Sequence, residues 1–319
     1  MADREAGGRE YPGTWAEFLA WFPEEAACAR YLGRLRWPEG IVCRACGEQR
    51  GWWIGEGRFW VCSGCGRKTS VTAGTIFDKT RVPLQSWFAA AWFVTSQKHG
   101  LSALGLQRAL GLGSYQTAWM MLHRLRAAMV RPGRERLSGR VEVDETYVGG
   151  EEEGVRGRQT QDKSIVAIAV EVKQPKGFGR VRLARVPDVS ASSLIPFVEA
   201  SVEPGSEVLT DGWSGYRPLP VHGYTHTKTI VSASGDPAHV AMPAVHRVVS
   251  LLKRWLLGTH QGSVSPEHLQ AYLNEYTFRF NRRNSRRRGL LFYRLLEQAV
   301  AAPQITYKQT IRGVDQRRP

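Results

Sequence analysis

Acidic residues, long hydrophobic segments and cysteines are all scarce in this 319-residue sequence. No segment approaches the ~20 consecutive apolar residues that a membrane-spanning helix needs. The N-terminal sequence MADREAGGRE lacks the apolar core of a secretory signal peptide. These absences argue against a membrane-embedded or secreted protein, and we expect a cytoplasmic one.

The shortage of acids leaves the chain strongly basic, and the excess is concentrated near the C-terminus. Lys and Arg number 44 against 29 Asp and Glu, a formal net charge of +15. Residues 279–319 contain 11 of the basic and two of the acidic residues, and therefore +9 of that charge. Such a cluster neutralises phosphates and releases their counterions, so we expect nucleic-acid binding, with a solvated tail as the alternative. The arginines predicted to contact the DNA backbone here are Arg279, Arg282, Arg283, Arg286 and Arg287.

Four of the five cysteines form two pairs with metal-ligand spacing. Cys43 and Cys46 make one C-x2-C pair, Cys62 and Cys65 make the other, and 15 residues separate the pairs. The segment between them, GWWIGEGRFWVC, alternates as a small hairpin would. This pattern predicts a zinc ribbon with four thiolates around a structural Zn2+. Two disulfides are the alternative, which a cytoplasmic setting disfavours. The fifth cysteine, Cys28, lies in a helical pattern and is predicted to be a core thiol.

The middle of the chain carries the signals of a helix-turn-helix. Ser102 can cap a first helix, Gly111 ends it, and Ser114 can cap a second helix that runs to about residue 129. In this motif the N-terminal residues of the second helix meet base edges in the major groove. A plain helical hairpin without DNA contacts has the same pattern and is the alternative. The predicted DNA-contacting residues are Ser114, Tyr115, Gln116, Thr117 and, further along, Arg124.

Acids occur at an unexpected place, inside the strand-like segment VEVDETYVGG at 141–150. Side chains alternate across a strand, so Glu142 and Asp144 share one face and Glu145 lies on the other. An edge strand with solvated charges is the simplest explanation. A second strand-borne carboxylate beside Asp144 would instead indicate a metal site.

The segments that follow predict a mixed α/β sheet that supplies such a carboxylate. The predicted elements are strands at 164–172 and 180–186, a helix at 190–202 and a strand at 206–211. The last strand ends on Asp211, directly before a glycine. Two strand-borne carboxylates can hold Mg2+ ions ~4 Å apart, which clamp the attacking and leaving oxygens of a phosphodiester. Asp144 and Asp211 therefore predict the layout of an RNase H-like nuclease core.

A later amphipathic helix at 242–258 is a source for a third site residue. His246 and Lys253 are seven residues apart, which is two helical turns, so they share a face. Arg254 follows Lys253 and is predicted to contact DNA. Judged by the residues alone, a single histidine here is more often a surface or core residue than a ligand.

Several motifs occur in order: CRACG and CSGCG, SVTAGTIFDKTRVPLQSWF, VEVDETYVGG, LTDGWSGY, LLKRWLLGTHQG and YLNEYTFRFNRR. Over roughly residues 15–285 this set resembles bacterial insertion-sequence transposases of the DDE type with an N-terminal zinc ribbon. The resemblance implies an RNase H-like catalytic domain, dependence on Mg2+ or Mn2+, and DNA strand cleavage and transfer at the inverted repeats of an element.

The resemblance also implies roles for individual residues. Asp144 and Asp211 match the first two catalytic carboxylates. His246 matches the third position, where related transposases commonly have Glu or Asn, so it is the predicted third ligand or a proton shuttle. Imidazole is a softer ligand than a carboxylate and suits Mn2+ or Zn2+ better than Mg2+. Lys253 matches a basic residue near the bound DNA end. Glu145 points to the opposite face and is interpreted either as structural or as a residue that supports the metal ligands without binding the metal.

We therefore expect a multidomain α/β transposase that acts on double-stranded DNA as a homodimer or larger assembly, associated with the nucleoid and not with a membrane. A non-catalytic DNA-binding regulator, a hydrolytic nuclease of the same fold and a zinc-ribbon RNA-processing factor are the alternatives. The expected domains are an N-terminal helical segment (1–37), the zinc ribbon (38–72), a helix-turn-helix DNA-binding domain (80–132), the RNase H-like catalytic domain (138–285) and a basic C-terminal tail (286–319).

Overall fold

The computed structural model describes residues 10–150, 163–173, 175, 177–229, 242–262 and 264–312. The chain divides into two compact units. The first unit combines Met1–Arg131 with Ser285–Pro319, and the second is Pro132–Asn284. The first unit is thus built from two separate stretches of sequence, whereas the second is continuous.

The first unit begins with two helices and the cysteine-rich ribbon. The helices are α1 (Trp15–Trp21) and α2 (Glu25–Arg36). The ribbon is an antiparallel sheet of β1 (Gly51–Ile54), β2 (Phe59–Cys62) and β3 (Lys68–Ser70). The strands β1 and β2 form the hairpin that the alternation between the cysteine pairs predicted.

Three further helices of this unit are α3 (Leu84–Ser96), α4 (Ala103–Leu110) and α5 (Tyr115–Ala128). The Ser102 hydroxyl accepts from the Gly105 N–H at 3.0 Å, and the Ser114 hydroxyl accepts from the Thr117 N–H at 3.1 Å. Between the two helices Gly111 has a left-handed φ of +61°, which glycine adopts without steric cost. The predicted helix boundaries at 102–114 are therefore confirmed.

The second unit is a mixed sheet with helices on both faces. Its order is β6-β5-β4-β7-β8, in which β4, β5 and β6 are antiparallel neighbours while β7 pairs parallel with both β4 and β8. This order gives the RNase H-like arrangement that the sequence predicted. The elements are β4 (Arg140–Val148), β5 (Ser164–Val172), β6 (Phe178–Val186), α6 (Ala191–Ser201), β7 (Glu207–Thr210), β8 (Thr225–Lys228), α7 (Pro243–His260) and α8 (Leu269–Asn281).

The two faces of this sheet bury separate apolar cores. On one face Val141 and Val143 of β4 share a core with Leu194 of α6. On the other face Ile168 of β5 shares a core with Val248 of α7, and α8 covers the same side. The strand periodicity places Glu142 and Asp144 on the side of α7. The second core therefore determines where the start of α7 lies relative to the acids of β4.

The basic segment 286–319 was predicted as a tail, but its described part, residues 286–312, is largely helical. It forms α9 (Arg288–Ala301) and α10 (Tyr307–Ile311), and both belong to the first unit. Phe292 of α9 lies against Phe18 and Phe88, with ring centroids 5.6 and 5.9 Å away. At Gly289 an added Cβ would lie 1.7 Å from the Pro12 carbonyl oxygen, so the helix begins in a contact that only glycine permits. The prediction of a tail rested on the charge of this segment. A count of charges does not register the apolar residues of α9, which follow the arginines and recur at helical spacing.

Candidate active site at the edge of the mixed sheet

The register between β4 and β7 brings two aspartates together. The strands pair from Arg140 with Glu207 to Glu142 with Leu209. Two residues further along each strand lie Asp144 and Asp211. Because parallel strands advance together, these side chains meet at the same edge of the sheet.

Glu145 is the third acid of this edge. The carboxylates of Asp144, Glu145 and Asp211 each bring an oxygen to within 4.8 Å of the others. The sequence had assigned Glu145 to the opposite face, with a role that is either structural or supports the metal ligands. The pairing of β4 with β7 ends at Glu142, so the longer glutamate side chain reaches the same edge from the other face. Its only sequence signal was its place next to Asp144.

Each of the three carboxylates accepts at least one hydrogen bond that fixes its orientation. The Glu145 N–H donates to Asp144 Oδ1 at 2.8 Å, and the Trp213 N–H donates to Asp211 Oδ1 at 2.9 Å. The fully buried Tyr216 hydroxyl donates to Glu145 Oε2 at 3.1 Å. Burial, reinforced by the charge of Glu145, raises the pKa of Tyr216 well above its ordinary value, so the phenol stays protonated and keeps donating.

The end of β7 is supported by a second polar contact. Thr210 is fully buried, and its hydroxyl lies 2.9 Å from His226 Nε2 on β8. The same hydroxyl accepts from the Gly212 N–H at 3.2 Å. Gly212 has a left-handed φ of +85°, which turns the chain away immediately after Asp211. The aspartate is therefore held at a defined strand end.

Glu142 connects the acidic strand to α7. Its buried carboxylate accepts from the Val245 N–H at 2.9 Å, in the first turn of the helix. Burial raises the pKa of Glu142, although the N–H groups of Val245 and Ala244 oppose this. This contact fixes the backbone next to His246, on the face of the sheet that Asp144 shares. Among the described residues, the cluster of ligand atoms within 4.8 Å comprises the three acids and does not include His246.

Two lysines add positive charge on this side of the second unit. Lys253 is exposed on α7, two turns after His246. Partial desolvation, and then the positive charge of Lys163, lower the pKa of Lys253.

The acidic cluster fits a divalent cation. Two like charges about 4 Å apart repel by about 4 kcal/mol at an effective dielectric of about 20. A divalent cation would offset that repulsion, and carboxylate oxygens are the ligands that Mg2+ and Mn2+ prefer. Asp144 and Asp211 are only half-buried, so the edge remains accessible to substrate.

The ribbon cysteines fit a different metal. Cys43 Sγ lies 3.6 Å from Cys65 Sγ, and Cys46 Sγ lies 3.5 Å from Cys62 Sγ. A tetrahedral zinc site with Zn–S bonds of about 2.3 Å requires sulfur–sulfur distances of about 3.8 Å. The N–H groups of Ala45 and Cys46 lower the pKa of Cys43 to about 6, which favours the thiolate. The four cysteines are therefore a structural zinc site, while Cys28 is a fully buried core thiol as predicted.

Comparison with known proteins agrees with both sites. Residues 136–281 match the family model of the ISXO2-like transposase domain, and residues 23–68 match that of the transposase zinc-ribbon domain. Over 276 residues the chain is 26% identical to an uncharacterised protein in transposable element ISH50 of Halobacterium salinarum, covering 81% of this chain and 91% of that protein. An uncharacterised transposase-like protein of Haemophilus influenzae is 29% identical over 96 residues, 30% of this chain and 76% of that protein.

The chain therefore contains an ISXO2-like transposase domain and a transposase zinc-ribbon domain. The transposase-domain match contains the acidic cluster and His246, and the ribbon match contains all four zinc-site cysteines. Within the part of the transposase that the structure describes, no helix has the length and apolar content to cross a membrane.

Several arginines that the sequence assigned to DNA have partners inside the transposase. The Arg124 guanidinium donates to the Ile76 and Asp78 carbonyls, and Arg279 pairs with the fully buried Glu275 at 3.5 Å. Arg282 lies 3.9 Å from the centre of the Phe278 ring, and Arg283 donates to the Phe178 and Gly179 carbonyls of β6. These side chains hold the fold together, a role that charge counting cannot distinguish from phosphate binding. Of the arginines predicted to contact DNA, Arg254, Arg286 and Arg287 are exposed.

The predicted recognition residues lie at the first turn of α5, and two of them have local roles. Ser114 caps the helix, and its hydroxyl lies 2.9 Å from that of Thr117. The Gln116 amide donates to the Tyr307 hydroxyl of α10. Tyr115 is exposed. DNA contact by these four residues stays a prediction.

Proposed function

We propose that this transposase cuts DNA at the inverted-repeat ends of its element and joins the freed 3′ ends to target DNA. The observation that carries the proposal is the meeting of Asp144 and Asp211 on neighbouring parallel strands, with Glu145 beside them, inside a matched transposase domain. A purely DNA-binding protein would not need three carboxylates at one strand edge.

Both reactions are in-line displacements at phosphorus. In the first, a water oxygen bonds to phosphorus and the P–O3′ bond at the element end breaks. The water gives a proton to solvent or a basic group, and the leaving 3′-oxygen takes up a proton to become a 3′-hydroxyl. In the second, the new 3′-hydroxyl oxygen bonds to a target phosphorus and a target 3′-oxygen leaves with a proton. One phosphodiester replaces another, so the joining step needs no external energy source.

The residues divide this work. Mg2+ or Mn2+ bound by the carboxylates would neutralise charge on the scissile phosphate and acidify a water. Asp144 and Asp211 would hold the cation, with Glu145 oriented by Tyr216. His246 would complete the site as a further ligand or move a proton, and Lys253 with Lys163 would hold a phosphate of the DNA end.

Recognition of the DNA would come mainly from the first unit. The zinc ribbon and the first turn of α5 are the proposed readers of the element end. Exposed Arg286 and Arg287, with Arg254 on α7, would contact backbone without reading sequence. Transposition joins two ends, so we propose a homodimer or larger assembly on DNA.

The decisive experiment incubates purified protein with a labelled duplex of the element's own end and Mg2+ or Mn2+. Nicking at the 3′ end and strand transfer are scored for wild type, Asp144→Asn, Asp211→Asn, His246→Ala and His246→Glu. Glu203→Gln is the control, because it removes an exposed acid of the same unit outside the cluster. We expect both Asp variants to lose cleavage by on the order of a thousandfold or more while binding the end normally.

Each alternative has its own outcome. Cleavage without strand-transfer products would indicate a hydrolytic nuclease. End binding without cleavage in either metal would indicate a non-catalytic regulator. Normal cleavage by His246→Ala would remove His246 from the site and leave Glu145 as the third acid.

A further inference from the structure

A pocket of about 420 Å³ lies in the first unit, bordered by the first turn of α5. Its floor includes Trp87, which is only 2% exposed. Gln116 and Met120 of α5 form one wall, and exposed Lys79 and Arg81 lie on the rim. The lining therefore combines apolar side chains with three basic residues: Lys79 and Arg81 are exposed, and Arg124 donates to backbone carbonyls.

The charge at the mouth is one-sided. The residues that line the pocket include Lys79 and Arg81 but no acid. Lys79 has a left-handed φ of +53°, a conformation that glycine adopts with less strain. A lysine at this turn places an ammonium group at the mouth despite that strain, which suits an anionic group such as a phosphate.

The interior presents flat, apolar surface together with a few polar groups. The Trp87 indole N–H donates to the Thr80 hydroxyl at 2.9 Å, so its polar edge is satisfied within the protein. Tyr307 of α10 is 42% exposed and closes the opposite side, where its hydroxyl accepts from the Gln116 amide. The accessible aromatic ring is that of Tyr307, because Trp87 is buried behind the lining. The Tyr307 ring and the Met120 thioether beside an amide match a nucleobase, whose faces stack and whose edge hydrogen-bonds.

We propose that this pocket binds one nucleotide whose base has left the duplex, with the base inside and its 5′-phosphate at Lys79 and Arg81. The proposal rests on the proposed function for the source of that nucleotide, which is the bound DNA end. The volume lies within the range of about 300–1,000 Å³ typical of small-ligand sites. A base swung out of the duplex and a frayed terminal nucleotide present the same chemistry.

The first test uses duplexes of the element's end that carry one mismatch at each position in turn. A mismatch lowers the cost of extruding a base, so wild type should bind one such duplex more tightly than the paired one. If the mismatch that tightens binding lies at an internal position, the pocket binds a swung-out base. If it lies at the terminal position, the pocket binds a frayed terminal nucleotide. This increase in affinity should disappear in Met120→Trp, because the larger side chain fills the pocket. It should persist in the control Leu104→Trp, which changes an exposed residue of α4 outside the lining.

The second test omits the duplex and titrates deoxyadenosine or thymidine 5′-monophosphate into the full chain by calorimetry. Met120→Trp should weaken binding by about 5- to 150-fold, the worth of one base stack. Lys79→Gly should weaken it while leaving the melting temperature unchanged or raised, because it removes the charge and relieves the backbone strain. A structural role for Lys79 would lower the melting temperature instead.

The two tests separate this proposal from the proposed function. If wild type cuts the element's end but no mismatch tightens binding and neither nucleotide binds, the pocket proposal is overturned and the transposase activity stands. If cutting fails while nucleotide binding is present and Met120→Trp weakens that binding as expected, the pocket proposal stands without the activity.

Discussion

The thiolate cluster of the ribbon and the carboxylate cluster of the sheet are assembled in different ways. The four thiolates come from one stretch, residues 43–65, and turns ending in Gly47 and Gly66 hold them. The carboxylates come from two segments, and only the pairing of β4 with β7 aligns Asp144 with Asp211. Four thiolates leave a zinc ion no open position, whereas the acids lie at an accessible strand edge. The first cluster should therefore govern stability, and the second should govern activity.

Cys62→Ser should cause the largest loss of stability among these variants, and it tests whether the thiolate cluster governs stability. Cys62 is fully buried and supplies one of four zinc ligands, so its loss should release zinc and unfold the ribbon. Apparent zinc affinities of such sites are worth about 10–16 kcal/mol, more than a small ribbon can replace. Zinc content by mass spectrometry and proteolysis within residues 38–72 measure the effect. Cys28→Ser, equally buried but outside the cluster, should keep one zinc per chain; full zinc retention in Cys62→Ser would contradict a four-thiolate site.

Glu145→Gln should show the opposite behaviour at the carboxylate cluster. The change keeps the shape of the side chain and removes one of three clustered charges. We expect cleavage of the element's end to fall by about a hundredfold, while the melting temperature stays unchanged or rises because like-charge repulsion is relieved. Glu203→Gln again serves as the control. A Glu145→Gln enzyme that cuts at the wild-type rate would return Glu145 to the structural role that the sequence first indicated.

Tyr216→Phe should produce a smaller loss, because it removes only the hydrogen bond to Glu145. Groups that orient ligands typically change activity by about 10- to 100-fold, and we expect the lower end of that range. Tyr224→Phe is a matched control, since its buried hydroxyl donates to the Val202 carbonyl in the same core and does not touch the acids. Both variants should lose similar stability, but only Tyr216→Phe should lose activity. Equal activities in the two variants would mean that Tyr216 only fills the core.

The same contrast explains which features could be predicted from the sequence. The ribbon depends on local spacing and turns, so the cysteine pairs were sufficient to predict it. Asp144 and Asp211 were found because both lie in strand patterns that end on glycine. Glu145 lies on the opposite face as predicted, but its place in the acidic cluster was missed, because strand alternation gives the face of a residue and not where the neighbouring strand stops. Arg283 was misassigned for a similar reason, since its carbonyl partners on β6 lie about a hundred residues away.

Glu142→Gln should cause the smallest change in stability among these variants. It tests the hydrogen bond that connects β4 to the start of α7. Glu142 is buried, and its pKa is raised from the ordinary value of 4.5, so the folded chain binds this proton more tightly than the unfolded chain. Its contribution to the unfolding free energy is therefore full below about pH 4.5 and is lost as the pH rises through the raised pKa. The loss amounts to about 1.4 kcal/mol for each pH unit that separates the folded from the unfolded pKa.

Glutamine does not titrate and keeps an oxygen that can accept from the Val245 N–H. Urea unfolding of wild type and Glu142→Gln between pH 4 and 7 isolates this residue, because the other acids cancel in the difference. The variant should gain stability relative to wild type as the pH rises, and parallel curves would mean that the carboxylate is as well solvated in the folded chain as in the unfolded one. Glu142→Ala lacks the acceptor and should lose about 1 kcal/mol or more at every pH. If Glu142→Ala also slows cleavage while Glu142→Gln does not, the start of α7 must be held by this hydrogen bond for His246 to act beside Asp144.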